Sequence, residues 1–441
     1  MDSAPPDAVE LVDRDNNNDD QWTESGRGQH SLPKADTGKE AWLFLICCFV
    51  LEAFIWGMPF SYGVFQVYYV HHSLFANSAS GIAAIGTTQT GIMYLCTPLL
   101  ALLMQRWPQT RRPGMFAGAA VIVASMVAAS FCNSVGGLLA TQGVMYALGG
   151  MTLYYPAMVY VDEWFIARKG MAYGVMWAGS GSAGVVVPFL LQWLLDAYGF
   201  RTALRVWAVI LAIGVTPCLF WVKGRLPITT SNALRPVDFG FMTQLPFWFF
   251  LSGTILQSFA FFLPPLWLPS FAADLGLPRF AGSLGLAFIN LATCFGAFLV
   301  GLLVDRYHIS VAVSIVTVGQ IVAIFVFWGL TSSQAMLYVF ALTWGLFGGG
   351  FSSTWSGYAH AVGKSTPNGH VEAGLLLSLM AAGRGVGAVI TGPLSEKLLD
   401  VGWNSHAKFA YGTDYGVLII FSGIFATLGG AAAVGKWLRL L

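Results

Sequence analysis

The stretch Leu51-Glu52-Ala53-Phe54, with Pro59 shortly after it, returns near the midpoint of the chain as Leu256-Gln257-Ser258-Phe259 with Pro264. Both copies lie in long apolar runs, each carries one polar side chain deep inside, and each is interrupted by proline. About 20 apolar residues cross a hydrocarbon core about 30 Å thick. A chain that writes such a run twice in equivalent places is confined to two related halves packed in a bilayer. Two further matches fall at similar offsets, within 200 to 205 residues. Leu102-Leu103-Met104-Gln105-Arg106-Trp107 returns as Leu302-Leu303-Val304-Asp305-Arg306-Tyr307. Ala178-Gly179-Ser180-Gly181 returns as Ala382-Gly383-Arg384-Gly385, with Pro188 and Pro393 following.

Composition agrees with this reading. Of 441 residues, 56% are hydrophobic and only 10% charged, against about 25% charged in soluble domains. Twelve segments are long and apolar enough to span: 42–70, 81–104, 114–133, 137–161, 170–195, 203–222, 247–272, 281–304, 310–330, 335–360, 372–396 and 414–438. The expected fold is an all-α membrane protein of 12 transmembrane helices in two six-helix pseudo-repeats. The predicted division is a disordered cytoplasmic tail over 1–40, an N-terminal half over 41–222, a cytoplasmic linker over 223–246 and a C-terminal half over 247–441. The tail is acidic and too poor in apolar groups to offset chain entropy.

Lys and Arg set the expected orientation. With the N-terminus inside, the inner ends hold Arg106, Arg111, Arg112, Arg168, Lys169, Lys223, Arg225, Arg235, Arg306, Lys364, Lys436 and Arg439. The outer ends hold only Arg201, Arg205, Arg279, Lys397 and Lys408, so both termini are expected in the cytoplasm of a multi-pass plasma-membrane protein. A net charge of +1 offers no basic face for nucleic acid. The six cysteines lie in apolar runs without metal-ligand spacing. No nucleotide loop or nucleophile–base constellation is present in the sequence, so neither an enzyme nor a cofactor is expected. The expected partners are a small-molecule substrate, the lipid bilayer and protons as coupling ion, with the chain acting as a monomer.

The stretch Trp164-Phe165-Ile166-Ala167-Arg168-Lys169-Gly170-Met171-Ala172-Tyr173-Gly174 is followed by Ala178-Gly179 and Gly184. Together with Gly301-Leu302-Leu303-Val304-Asp305-Arg306, Arg384-Gly385-Val386-Gly387, Gly392-Pro393-Leu394-Ser395-Glu396 and Tyr411-Gly412-Thr413-Asp414-Tyr415-Gly416, it resembles the major facilitator superfamily. Within that superfamily it is similar to the fungal monocarboxylate-transporter-like branch, over about residues 40 to 440. The resemblance implies alternating-access secondary transport. It also marks departures. Gln105 replaces the loop acid in the first half, and the family's entry to span 1 is reduced to Glu40-Ala41-Trp42. Phe60, Thr293 and Ala297 stand where animal lactate carriers have their lysine and Asp/Arg pair.

Two charges fall inside the membrane. Glu52 lies ten residues into span 1, about 15 Å deep, and Arg384 lies twelve residues into span 11. A charge at that depth faces a partner or a wet cavity. Either the two pair, or bond to backbone carbonyls, and only brace the halves, or Arg384 holds an anionic group of the substrate while Glu52 competes for Arg384 and takes a proton. Trp56, Tyr154, Tyr155, Gln257, Phe261, Asn290 and Trp355 are candidates to line the substrate cavity, their aromatic faces suiting a flat cargo and their amides orienting it. Pro59 and Pro264 mark bends that either gate access or stand as static kinks. Asp305 and Arg306 are assigned to conformational gating, because an Asp there can bind the backbone N–H groups that open a neighbouring helix. The expected cargo is a small organic solute, an organic acid or an acidic secondary metabolite, with export as the first reading. Uptake of a monocarboxylate or vitamin-like nutrient and a non-transporting solute sensor are the alternatives.

Overall fold

The computed structural model describes residues 33–72, 74, 79–226, 237–366, 371–402 and 407–431. The acidic tail up to residue 32, the middle of the linker and the last turns of span 12 lie outside the described residues. The predicted tail boundary at residue 40 moves inward, because Asp36 is already hydrogen-bonded to the bundle and the first helix starts at Lys39.

Among the described residues, nine helical stretches are long and apolar enough to cross a membrane. One of them, Lys169–Trp221, is spans 5 and 6 together, divided at Gly199. Gly199 takes φ 76, a left-handed conformation that glycine adopts without a Cβ penalty. Continuous helix over residues 135–164 supplies span 4, and Gly416–Gly429 is the described part of span 12. The twelve-helix arrangement expected from the sequence is therefore present. The remaining spans are Lys39–Phe60 with Tyr62–His71, Ala79–Leu95 with Thr97–Arg106, and Arg111–Ala129 in the first half. The second half contains Leu245–Phe261 with Leu263–Asp274, Arg279–Arg306, Ile309–Trp328, Gln334–Ser365 and Ala373–Asp400.

Spans 1 and 7 both break near their prolines, at Ser61 and at Phe262. Proline lacks an N–H, so the carbonyl four residues earlier loses its helical partner. In span 1 that carbonyl belongs to Ile55, and the Tyr146 hydroxyl of span 4 donates to it at 3.0 Å and to the Phe54 carbonyl at 3.2 Å. In span 5, Pro188 frees the Gly184 carbonyl, and Asn290 Nδ2 of span 8 donates to that oxygen at 3.1 Å. In both cases a side chain from another helix takes the place of the missing N–H.

The halves meet along two helix pairs. Span 5 lies against span 8, where a Cβ at Gly174 would collide with the Ala297 backbone. Span 11 lies against span 2, where a Cβ at Gly385 would come within 2.6 Å of Tyr94 Cβ. Small residues at such crossings let backbones approach, because lipid offers no hydrophobic drive and close contact does. At the end of the bundle carrying Gly170 and Asp305, hereafter the latch end, one apolar core runs from the first half into Trp355, Tyr358, Val362 and Leu375–Leu377 of the second. At the far end, the second half keeps a separate core around Phe271, Trp328, Leu337 and Leu418. The molecule is shut at the latch end and divided at the other. A crevice of about 290 Å³, bordered by Val64, Tyr68, His72, Gln192 and Asp196, opens on the divided side.

Candidate functional site

Glu52 and Arg384 are both buried at 3% exposure, midway along their helices. No ion pair joins them: the ion pairs among the described residues are Arg111–Glu163 at 3.9 Å and Lys169–Asp162 at 3.1 Å, both at the latch end. The bracing pair that the sequence left open is therefore not formed in this conformation. Arg384 Nη1 donates to Ser352 Oγ, and the guanidinium lies 3.8 Å from the Phe261 ring centroid and 5.8 Å from that of Trp355. Ser352 sits in the tightened turn Gly349–Thr354 of span 10, immediately before Trp355. Glu52 packs against Gly179 of span 5, where a Cβ would meet the Glu52 side chain.

Aromatic groups close the space around the two charges. Trp56 contacts Tyr94, Phe60 and Tyr154, with ring centroids 4.6, 5.4 and 6.1 Å away. Trp177 Nε1 donates to the Tyr154 hydroxyl at 2.9 Å, and the Trp177 ring meets Trp355 edge-on at 5.5 Å. Tyr94 and Tyr154 thus both border the Trp56 ring, one helical turn beyond Glu52. Four buried polar atoms in this cluster have no partner: Glu52 Oε2, Arg384 Nε, and the indole Nε1 of Trp56 and of Trp355. Three are donors and one is an acceptor, so a bound molecule meeting them carries acceptor groups and at least one donor.

Several residues proposed from sequence stand elsewhere. Gln257 donates to Gln320 Oε1 at 3.4 Å and packs on Gly429, facing spans 9 and 12 rather than the aromatic cluster. The reason is register. Gly179 is met by Phe49, Glu52 and Ala53, whereas the matching Gly383 is met by Leu251 and Ile255. The packing match pairs Phe49 with Leu251, whereas the sequence match pairs Glu52 with Gln257, so the two registers differ. Tyr155 also lies outside the cluster: its hydroxyl accepts from Gln105 Nε2 at 3.3 Å and borders Gly374. Asn290 donates to the Gly184 carbonyl that Pro188 leaves free, rather than to either charge. Pro59 and Pro264 are buried at the helix breaks. Trp56, Tyr154, Phe261 and Trp355 do gather around the charges. Sequence reading missed Tyr94, Trp177 and Ser352. Trp177, immediately before the repeated Ala-Gly-Ser-Gly stretch, had the clearest signal.

Asp305 closes the latch end. Its Oδ1 accepts from the Gly170 N–H and its Oδ2 from the Met171 N–H, each at 2.7 Å, so a carboxylate of the second half holds the first N–H groups of span 5. These donors have no helical partner of their own. Arg306 is exposed beside Tyr307, at the rim of a groove of about 430 Å³ between spans 8 and 10. On the other helix pair the corresponding residue is Gln105, which binds Tyr155 and leaves its Oε1 unpartnered.

Comparisons with known proteins agree with this architecture. The chain is 26% identical to the MFS-type transporter pynF of Aspergillus niger, over 91% of both chains. It is 27% identical to the aspyridones efflux protein apdF of Emericella nidulans, over 96% of this chain and 82% of that one. It is 24% identical to the fujikurins efflux protein of Gibberella fujikuroi, over 95% and 86%. Among solved structures, a bacterial homologue of the iron transporter ferroportin superposes with TM-score 0.65 at 14% identity, covering 91% of this chain and all of that one. A bacterial homologue of the lysosomal transporter Spinster superposes with TM-score 0.54 at 15% identity, over 92% of this chain and 99% of that one. Residues 45–391 match the Major Facilitator Superfamily, and the chain belongs to that family of membrane transporters.

Proposed function

We propose that this transporter, a member of the monocarboxylate-transporter-like branch, exports a small acidic secondary metabolite by proton-coupled alternating access. The observation that carries the reading is the pair of buried charges with no ion pair between them. Bracing by direct pairing would join them, since an uncompensated buried charge costs several kcal/mol. Kept apart among aromatic faces, they suit a molecule that places an anionic group on Arg384 and a flat body against Trp56, Phe261 and Trp355. Glu52 then alternates between protonated and charged forms, so that cargo and proton compete across the site. The relatives named for efflux of aspyridones and fujikurins support the outward direction.

The distribution of Lys and Arg supports placing the latch end in the cytoplasm, with both termini there. The plasma membrane is the proposed location and the monomer the working unit. Reconstituted vesicles test the proposal. A labelled aromatic carboxylic acid should move across them, driven by an imposed proton gradient. Binding of the acid without flux would indicate a sensor, and flux indifferent to the gradient would remove the proton from the mechanism.

A further inference from the structure

A second carboxylate acts on the loop that Asp305 holds. Asp36, in the strap just before span 1, accepts at Oδ1 from the N–H groups of Ile166, Ala167 and Arg168 at 3.0, 3.1 and 3.0 Å. Its Oδ2 also accepts from Ala167, at 3.1 Å, and its own N–H donates to the Trp164 carbonyl at 2.9 Å. Successive N–H groups turned toward one anion form a compact anion cradle. Asp36 occupies it at φ 57 and Gly38 follows at φ 100. A non-glycine residue holds such a strained backbone only where its surroundings over-determine it.

The cradle ends at Arg168, two residues before Gly170, the first donor to Asp305. The end of span 4, just before this segment, is fastened to the start of the linker. Trp164 Nε1 donates to the Lys223 carbonyl at 2.8 Å, and Glu163 Oε2 accepts from the Leu226 N–H at 3.2 Å.

We propose that Asp36 is a positioning residue for the latch: it fixes the 166–168 turn so that the N–H groups of Gly170 and Met171 are presented together to Asp305. Asp36 touches no cargo and acts only through the loop. The latch therefore has two layers. One is a permanent clasp within the first half, made by the N-terminal strap. The other is a releasable clasp between halves, made by Asp305. Rocking breaks the second and leaves the first in place.

Amide hydrogen exchange on the full chain in lipid nanodiscs tests this without a transport substrate, so its outcome is separable from that of the proposed export. In the unmodified protein, residues 166–168 should exchange about tenfold more slowly than Gly170 and Met171, because the strap outlasts the releasable clasp. Asp305→Asn should speed exchange at Gly170 and Met171 and leave 166–168 protected. Asp36→Asn, which tolerates positive φ, should speed exchange at all five. Asp36→Gly, free of backbone strain, repeats the test if the asparagine variant does not fold. Equal protection of the five amides in the unmodified protein would overturn the two-layer latch. So would faster exchange confined to 166–168 in a folded Asp36 variant, even with a lowered Tm.

Discussion

At the scale of single residues, the site divides its labour between charge and shape. Glu52→Gln should leave the fold intact, because the neutral amide fits a position that holds no ion pair. It should also flatten the pH dependence of transport measured in vesicles; a well-folded variant with an unaltered pH profile would exclude Glu52 as the proton carrier. Arg384→Lys keeps the charge and loses the planar face that lies over Phe261. A cation–π contact is worth about 0.5–2 kcal/mol, so the variant should raise KM by roughly two- to thirtyfold, and Phe261→Leu should act in the same direction. An unchanged KM in both would place the cargo elsewhere. The two charges themselves were legible in sequence, because depth in an apolar run is a one-dimensional property. Their neighbours were not. Gln257 misled because a sequence match fixes spacing along a helix and not rotation about it.

At the scale of helices, the prolines supply a sharper case. The Tyr146 hydroxyl fills the carbonyl position that Pro59 vacates. Tyr146→Phe should therefore lower stability by about 1–3 kcal/mol, the cost of leaving a buried acceptor without a donor. In a Pro59→Ala background the backbone N–H returns and the same change should cost well under that. A thermal-melt double-mutant cycle in detergent checks the pair, and additive effects would break the link. The bend in span 1 is thus a braced kink in this conformation. Sequence reading left kink and hinge open, and only the position of Tyr146, far along the chain, shows what stiffens it. The Gly199 turn marks a different boundary: its left-handed backbone separates spans 5 and 6 within a single residue, and their apolar patterns already read as two.

At the scale of the whole molecule, the two halves touch through glycine-lined crossings of spans 5 with 8 and 11 with 2, share a core at the latch end and keep separate cores at the other. Gly174 packs directly on the Ala297 backbone, with no flexible side chain to yield. Gly174→Val should therefore hold the latch end apart, abolishing turnover while the protein still inserts and each half still folds. Normal flux through a folded Gly174→Val protein would mean that this crossing need not close. The repeat was plain in the sequence because each half must bury the same faces. Which end is shut was not, since it depends on contacts between residues far apart in the chain, such as Asp305 with Gly170 and Met171.

The carbonyls served by Tyr146 and Asn290 also constrain how this protein can change over generations. Replacing Pro59 or Pro188 first is mild, because the restored N–H serves the carbonyl and the outside donor becomes redundant. Losing Tyr146 or Asn290 first strands a carbonyl in a dry interior. Drift at these sites is therefore ordered, with the ring lost before the donor that answers it. For Asn290 the consequence reaches further, since its carbonyl belongs to the other half. The two halves descend from one pattern and are no longer free to diverge independently.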